Sequence, residues 1–248
     1  MWEFELISFG IIGGLIAGLI NTISGSGSII TLSLMAFFGI PLDVANGTNR
    51  IGILTHGIKS SYSFHQRGEL ELKKYWPLIL ICIAGAIGGT ITALLISNDT
   101  FNLALGFIFL LLLLILIFEP QKRIKAGSKF KNALPYLMFP IGFYGGFIQV
   151  ATGIFLLTIL HVLTGKKLQS LNPIKVFIIM LFNIPALLLF IWGGKINWEL
   201  GIALAVGQYF GALFGVKINS TKRNIEPILK TFLIVLILIS IGRFWGWY

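Results

Sequence analysis

The chain has 248 residues, of which 56% are hydrophobic and 11% charged, with a formal net charge of +10 and a mean hydropathy of +0.91. Soluble domains run about 45–50% apolar and about 25% charged, so no single soluble core could hide this much apolar surface, whereas lipid can cover outward-facing helices. The basic excess does not mark a nucleic-acid binder, because the cations collect in the gaps between apolar runs, as the loops of a membrane protein require.

Met1-Trp2-Glu3-Phe4-Glu5 is acidic rather than basic and no small-residue cleavage site follows, so the first apolar segment is expected to remain in the mature protein. The segments run Phe4 to Ile20, Ser28 to Ile40, Val44 to Phe64, Tyr75 to Ile96 and Phe101 to Phe118. Beyond a basic stretch come Leu134 to Ile148, Ile154 to Leu163, Ile174 to Trp192, Trp198 to Val216 and Ile228 to Trp247. A helix needs about 20 residues to cross about 30 Å of hydrocarbon. The second and seventh segments are too short for that and read as half-helices or re-entrant segments, giving eight to ten segments in all. The expected fold is an all-α integral membrane protein with a single transmembrane domain over 1–248. One half covers about 4–119, a basic cytoplasmic loop covers 120–133, and a second half covers about 134–248. The lone cysteine, Cys82, lies in an apolar run, which excludes an intrachain disulfide and CxxC redox chemistry.

Lys and Arg concentrate in cytoplasmic loops. Arg67, Lys73 and Lys74 mark one such loop, and Lys122, Arg123, Lys125, Lys129 and Lys131 mark the central one. Lys166 with Lys167, and Lys217 with Lys222 and Arg223, mark two more. The opposite connections hold only Lys195, with Arg243 near the C-terminus, so both termini are expected outside. Trp2, Trp76, Trp192, Trp198, Trp245 and Trp247 fall at segment ends, where an aromatic belt meets the headgroups.

The two halves resemble each other. Gly14, Gly18, Asn21, Ser24 and Gly25 line up with Gly142, Gly146, Gln149, Thr152 and Gly153. Asn46 then stands opposite Asn172, Arg67-Gly68-Glu69-Leu70 opposite Gly193-Gly194-Lys195-Ile196, and Gly85 with Gly89 opposite Gly207 with Gly211. Five segments per half is an odd number, so the halves start on opposite sides. That makes an inverted repeat, an organisation common in secondary transporters. The glycines at 85, 88, 89, 207, 211 and 215 have the small-xxx-small spacing of closely packed helices.

Asn21-Thr22-Ile23-Ser24-Gly25-Ser26-Gly27-Ser28 separates two apolar segments. Non-helical backbone at membrane depth must be buried in protein or line a cavity. A helix starting near Ser28 offers free N–H groups and the positive end of its dipole, glycines permit close approach, and the hydroxyls of Ser24, Ser26 and Ser28 add donors. Together these make an anion cradle, with Gln149, Thr152 and Gly153 as its counterpart; the plainer alternative is a polar turn capped by Ser28. The second constellation is Asn46, Thr48, Asn49 and Arg50, set against Asn172 and Lys175. A cation at the membrane centre costs about 2.5–3.5 kcal/mol, and no carboxylate lies at comparable depth to neutralise Arg50 or Lys175. A negatively charged ligand would do so, and snorkelling to headgroups would relieve them equally well. His56, about two helical turns past Arg50, could carry a coupling proton, since its ordinary pKa lies near about 6.5. A hydrogen-bonded core histidine is the alternative. Membrane-enzyme signatures do not accompany these residues: residue 24 is serine, so Gly-x-Ser-Gly is absent, and no paired carboxylates or metal-spaced histidines lie in the spans.

Gly14-x3-Gly18 leading to Ser24-Gly25-Ser26-Gly27-Ser28, then Pro41, Ala45-x-Gly47-Thr48 and Arg67-Gly68, resemble the sulfite exporter TauE/SafE family, also called the toluene-sulfonate uptake permease superfamily. The resemblance covers nearly the whole chain as two halves. It implies transport of a small sulfur-containing anion, such as sulfite, thiosulfate or an organosulfonate, across a prokaryotic plasma membrane. The expectation is therefore a secondary transporter working by alternating access, not an enzyme, with no cofactor and with membrane lipids and a small anion as its partners. A homo-oligomer and a proton or sodium as coupling ion both fit this reading. An anion channel or a non-transporting membrane subunit is the alternative.

Overall fold

The computed structural model describes residues 2–72, 75–118, 134–221 and 226–244, and the regular structure among them is helical. The helices are α1 (Trp2–Ile23), α2 (Ser28–Phe37), α3 (Leu42–Gln66), α4 (Trp76–Leu95), α5 (Asn98–Phe118), α6 (Leu134–Phe147), α7 (Thr152–Thr164), α8 (Leu168–Trp192), α9 (Trp198–Thr221) and α10 (Glu226–Phe244). Each expected apolar segment coincides with one of them. Lys73, Lys74, the cluster from Lys122 to Lys131, Lys222, Arg223, Trp245 and Trp247 lie outside the described residues, as do the side chains of Trp2 and Arg243.

Among the described residues, five helices are long and apolar enough to cross a membrane, in α1, α4, α5, α8 and α9. Their outward faces carry Leu80, Leu95, Phe107, Leu111, Leu188, Ile202 and Phe214, all exposed. Soluble monomers do not expose so much large apolar surface. This is a multi-pass membrane protein. Trp76, Trp192 and Trp198 stand exposed at the ends of α4, α8 and α9, as an aromatic belt places them.

The helix that departs from this pattern is α3, which buries Asn46, Thr48, Asn49, Arg50, His56, Ser60 and Ser61. It tolerates them because it packs against α9, α8, α2 and α1 rather than lipid, so its polar groups can meet protein partners. By contrast α2 and α7 are apolar but short: 10 and 13 residues give about 15 and 20 Å at 1.5 Å per residue. Neither reaches across the hydrocarbon, as the segment lengths foretell.

Glycine contacts set two helix pairs. On α1, Gly14 and Gly18 lie against the backbone at Leu204 and Gln208, while Gly207 and Gly211 of α9 lie against Ile11, Leu15 and Leu19. On α4, Gly85 and Gly89 lie against the backbone of Phe139, Phe143 and Phe147, while Gly142 and Gly146 of α6 lie against Cys82 and Ala86. A methyl group at any of these would enter backbone of the neighbour, so the spacing does serve close packing. Both pairs run parallel, because rising numbers meet rising numbers. Gly88 faces only the Phe143 ring, at ordinary contact distance.

The connections gather on two faces. Lys166, between α7 and α8, binds Glu71, between α3 and α4, at 3.1 Å, and this bond holds the Lys166 pKa above its ordinary value. On the other face Lys195, between α8 and α9, meets Asp43 at the start of α3 at 2.6 Å.

Candidate functional site

Two interruptions lie between these faces, one joining α1 to α2 and the other α6 to α7. In the first, the amides of Ser24 and Gly25 both return to Ile20 O, at 2.8 and 3.1 Å, and end α1. Gly25 then adopts φ +82°, a left-handed conformation that glycine supplies without strain. Helix α2 begins with bonds from Ile29 to Ser26 O and from Ile30 to Gly27 O. In the second interruption Ile148 N closes on Tyr144 O at 2.8 Å, Ala151 takes the left-handed conformation at φ 52°, and Ile154 N returns to Ala151 O. The Tyr144 hydroxyl donates to Val150 O at 2.7 Å and braces this loop.

The two interruptions touch. Gly25 and Gly153 are in backbone contact, so close that a Cβ on either would strike the other's Cα. Beside that contact lies a chamber of about 10 Å³, lined by Asn21, Gly25, Ser28, Gln149, Thr152, Gly153, Lys175 and His56, with Ile53, Val176 and Ile179 completing its wall. That is the volume of about one water molecule.

Three polar atoms on this lining are buried without a hydrogen-bond partner: Asn21 Nδ2, Gln149 Nε2 and Thr152 Oγ1. The nitrogens can only donate and the hydroxyl can donate. An unsatisfied buried group costs about 1–3 kcal/mol, so these donors favour an acceptor-rich occupant of the chamber. Lys175 adds the charge. Its side chain is fully buried and Nζ donates to Asn21 O at 2.9 Å and Thr22 O at 3.2 Å, leaving one of three N–H groups uncommitted to those carbonyls.

A broken helix brings a positive helix start and a negative helix end to the same place. Here a cation covers each negative end. Lys175 binds the last carbonyls of α1, and Arg50, also fully buried, donates from Nη2 to Gly145 O at 3.2 Å and Gly146 O at 2.5 Å at the end of α6. Each cation comes from the opposite half of the chain. Among the described residues Asp43 and Glu71 pair with Lys195 and Lys166, and no carboxylate lies within ion-pair distance of Arg50 or Lys175. With the helix ends covered, the chamber itself is left with two helix starts and Lys175, and among the described residues no carboxylate lines it.

Neither cation snorkels. Arg50 also stands apart from the chamber, held by Gln149 Oε1 at 3.0 Å and Asn183 Oδ1 at 3.3 Å, with Phe190 beneath its guanidinium at 4.7 Å. The other expected residues divide in the same way. Ser24 Oγ donates to Ile20 O and meets Ser26 Oγ at 2.7 Å, and Gly27 packs on Ala17. Asn46 Nδ2 donates to Phe147 O at 2.9 Å, Asn49 Oδ1 accepts from Thr31 at 2.7 Å, and Thr48 Oγ1 accepts from Asn197 N. Asn172 is committed to Asn219 at 2.7 Å, nearer the Glu71–Lys166 face. These residues are committed to protein partners and do not line the chamber.

His56 does line it. Thr22 Oγ1 donates to Gly18 O at 2.9 Å and lies 2.9 Å from His56 Nε2 and 3.3 Å from Ser60 Oγ, so a threonine of α1 holds the imidazole in the chamber wall.

Three residues not expected at the site matter here: Thr22, which meets His56; Asn183, which holds Arg50; and Gln208, fully buried in α9 against Gly52 with neither amide atom partnered. Asn183 and Gln208 each interrupt an apolar helix, and the expense of a polar group there is a signal a sequence does carry.

On the Glu71–Lys166 face lies a larger hollow of about 430 Å³, lined by Gly68, Lys167, Ser170, Ile174 and Asn219 among others. Phe64, Val176 and Val216 form a small buried apolar cluster, and Val176 also lines the chamber.

The family model described as Sulfite exporter TauE/SafE matches residues 10–244. Among curated proteins, the chain is 29% identical to the probable membrane transporter protein ORF9 of Sinorhizobium sp, over 91% of this chain and 88% of that one. It is 28% identical to a probable membrane transporter protein of Haemophilus influenzae, over 84% and 83%. A probable membrane transporter protein of Bacillus subtilis is 25% identical over 95% and 94%. No solved structure matches the chain.

Proposed function

We propose that this chain, which belongs to the Sulfite exporter TauE/SafE family, is a secondary transporter that holds a small sulfur-containing anion between its two interrupted helices and passes it across a prokaryotic plasma membrane. The observation that carries the proposal is the chamber itself, with unpartnered donors on Asn21, Gln149 and Thr152 and a buried Lys175 that meets no carboxylate at ion-pair distance among the described residues. Sulfite, thiosulfate and sulfonates present oxygens on several sides and suit donors converging from two halves. In this reading Lys175 balances the charge, Ser28 adds a hydroxyl, and Gly25 and Gly153 let backbone approach the ligand.

Alternating access follows as the mode of action. The chamber is smaller than any oxyanion, so it must widen for the ligand to enter, and in this reading the Gly25–Gly153 contact is where it opens. The hollow on the Glu71–Lys166 face is the proposed approach, with the Asn172–Asn219 bond as the latch beside it. We read the two halves as inverted repeats, with both termini outside. The matching glycine seams of α1 with α9 and of α6 with α4, and the reciprocal capping by Lys175 and Arg50, support this arrangement. His56, which lines the chamber with Lys175, is the proposed carrier of a coupling proton.

The test is twofold. Purified protein should melt at higher temperature with sulfite, thiosulfate or methanesulfonate, and proteoliposomes should take the anion up in a saturable, gradient-driven manner. Flux that never saturates would favour a channel, and stabilisation without flux would favour a non-transporting subunit. With His56→Gln, uptake should lose its dependence on a proton gradient while binding persists; unchanged proton dependence removes His56 from the coupling role.

A further inference from the structure

Arg50 is the most conspicuous charge in the interior, yet it does not reach the chamber. Its Nε is buried without a partner, while its Nη1 and Nη2 donors are spent on four protein oxygens: Gly145 O, Gly146 O, Asn183 Oδ1 and Gln149 Oε1. The last of these matters most. A glutamine amide has an acceptor end and a donor end of nearly equal size, and without a partner it can present either. A guanidinium has donors only, so it must take the oxygen. Gln149 is buried, lines the chamber, binds Arg50 through Oε1 and has no partner for Nε2.

We propose that Arg50 is a positioning residue that sets the sign of the chamber: by holding Gln149 Oε1 it turns the Gln149 N–H groups toward the ligand. The inference rests on the anion reading above. Arg50 is itself fixed from several sides. Asn183 accepts from Nη1 and returns its own amide hydrogen to Arg50 O at 2.8 Å, so its flip is determined at both ends. The Phe190 face lies under the guanidinium, where a cation is favoured. Asn183, Arg50 and Gln149 thus form a relay of amide orientation running from α8 through α3 to the second interruption. The arrangement accounts for a buried cation that neither touches the ligand nor meets a carboxylate: it serves the ligand's charge at one remove, by deciding which end of an amide faces it.

The sign of the chamber is read by an isosteric pair, methanesulfonate and its neutral counterpart methanesulfonamide, with sulfite as a second anion. Affinities are measured on purified full-length protein by calorimetry alongside thermal melts. Wild type should prefer methanesulfonate. Gln149→Glu keeps an oxygen for Arg50 and places a second acceptor at the chamber, so it should fold and lose at least about tenfold of that preference. Arg50→Lys, which keeps the charge but not the paired donors, should move the preference in the same direction. A merely structural Arg50 would change stability or overall affinity and leave the ratio untouched. A ratio unchanged in Gln149→Glu overturns the inference, and that variant carries the test alone if Arg50→Lys does not fold. Wild type that binds neither methanesulfonate nor sulfite overturns the anion reading instead.

Discussion

At the scale of single residues the site is an exercise in satisfying, or refusing to satisfy, buried polar groups. Lys175 keeps its ammonium in the interior through two backbone carbonyls, each charge-assisted bond worth about 1.5–3 kcal/mol. Lys175→Gln retains one donor for those carbonyls and removes the charge. It should lower sulfite affinity at least about tenfold, read by calorimetry, with a smaller loss of melting temperature. Thr152→Val removes a hydroxyl that has no partner, so it should stabilise the free protein or leave it unchanged while weakening the anion. A loss of stability without loss of binding would mean that Thr152 serves the fold. Most of these residues were legible as chemistry but not as geometry. Arg50 and Lys175 stand out in the sequence because unpaired cations in apolar surroundings are costly. Nothing local reveals that Arg50 reaches Gln149, 99 positions away, or that Thr22 meets His56, 34 positions away.

At the scale of elements, the interruptions follow from composition and the helices from length. The ten apolar segments coincide with helices because apolar runs bounded by glycine, proline and charge are a strong signal. The 10-residue α2 and 13-residue α7 are short enough to be recognised as partial spans. The polarity of α3 was legible too, but its place among neighbouring helices was not, because burial among protein cannot be told from exposure without tertiary contacts. Gly25 offers a clean test. Gly39 and Gly25 both have positive φ, +74° and +82°, but a Cβ at Gly39 meets open space whereas one at Gly25 meets Gly153 backbone. Gly39→Ala should therefore cost about 1–2 kcal/mol, the conformational penalty alone. Gly25→Ala should cost visibly more in the same melting series, because two backbones must part. Equal losses would mean that the two interruptions do not meet.

At the scale of the whole molecule, each half supplies the cation that covers a helix end of the other. Topology can be examined in a Cys82→Ala background, since Cys82 is the single cysteine and is buried. Arg67→Cys should react with an impermeant maleimide only from the cytoplasmic side, and Lys195→Cys only from outside; labelling of both from one side would break the assignment of faces. The central claim, an anion carried between the two interruptions, is tested most directly by uptake of radiolabelled sulfite into proteoliposomes holding wild type or Lys175→Gln. The account predicts saturable, gradient-driven uptake by wild type and its loss in a folded Lys175→Gln protein. Wild-type uptake no greater than that of protein-free liposomes, for thiosulfate and methanesulfonate as well as sulfite, or uptake undiminished in Lys175→Gln, would contradict it.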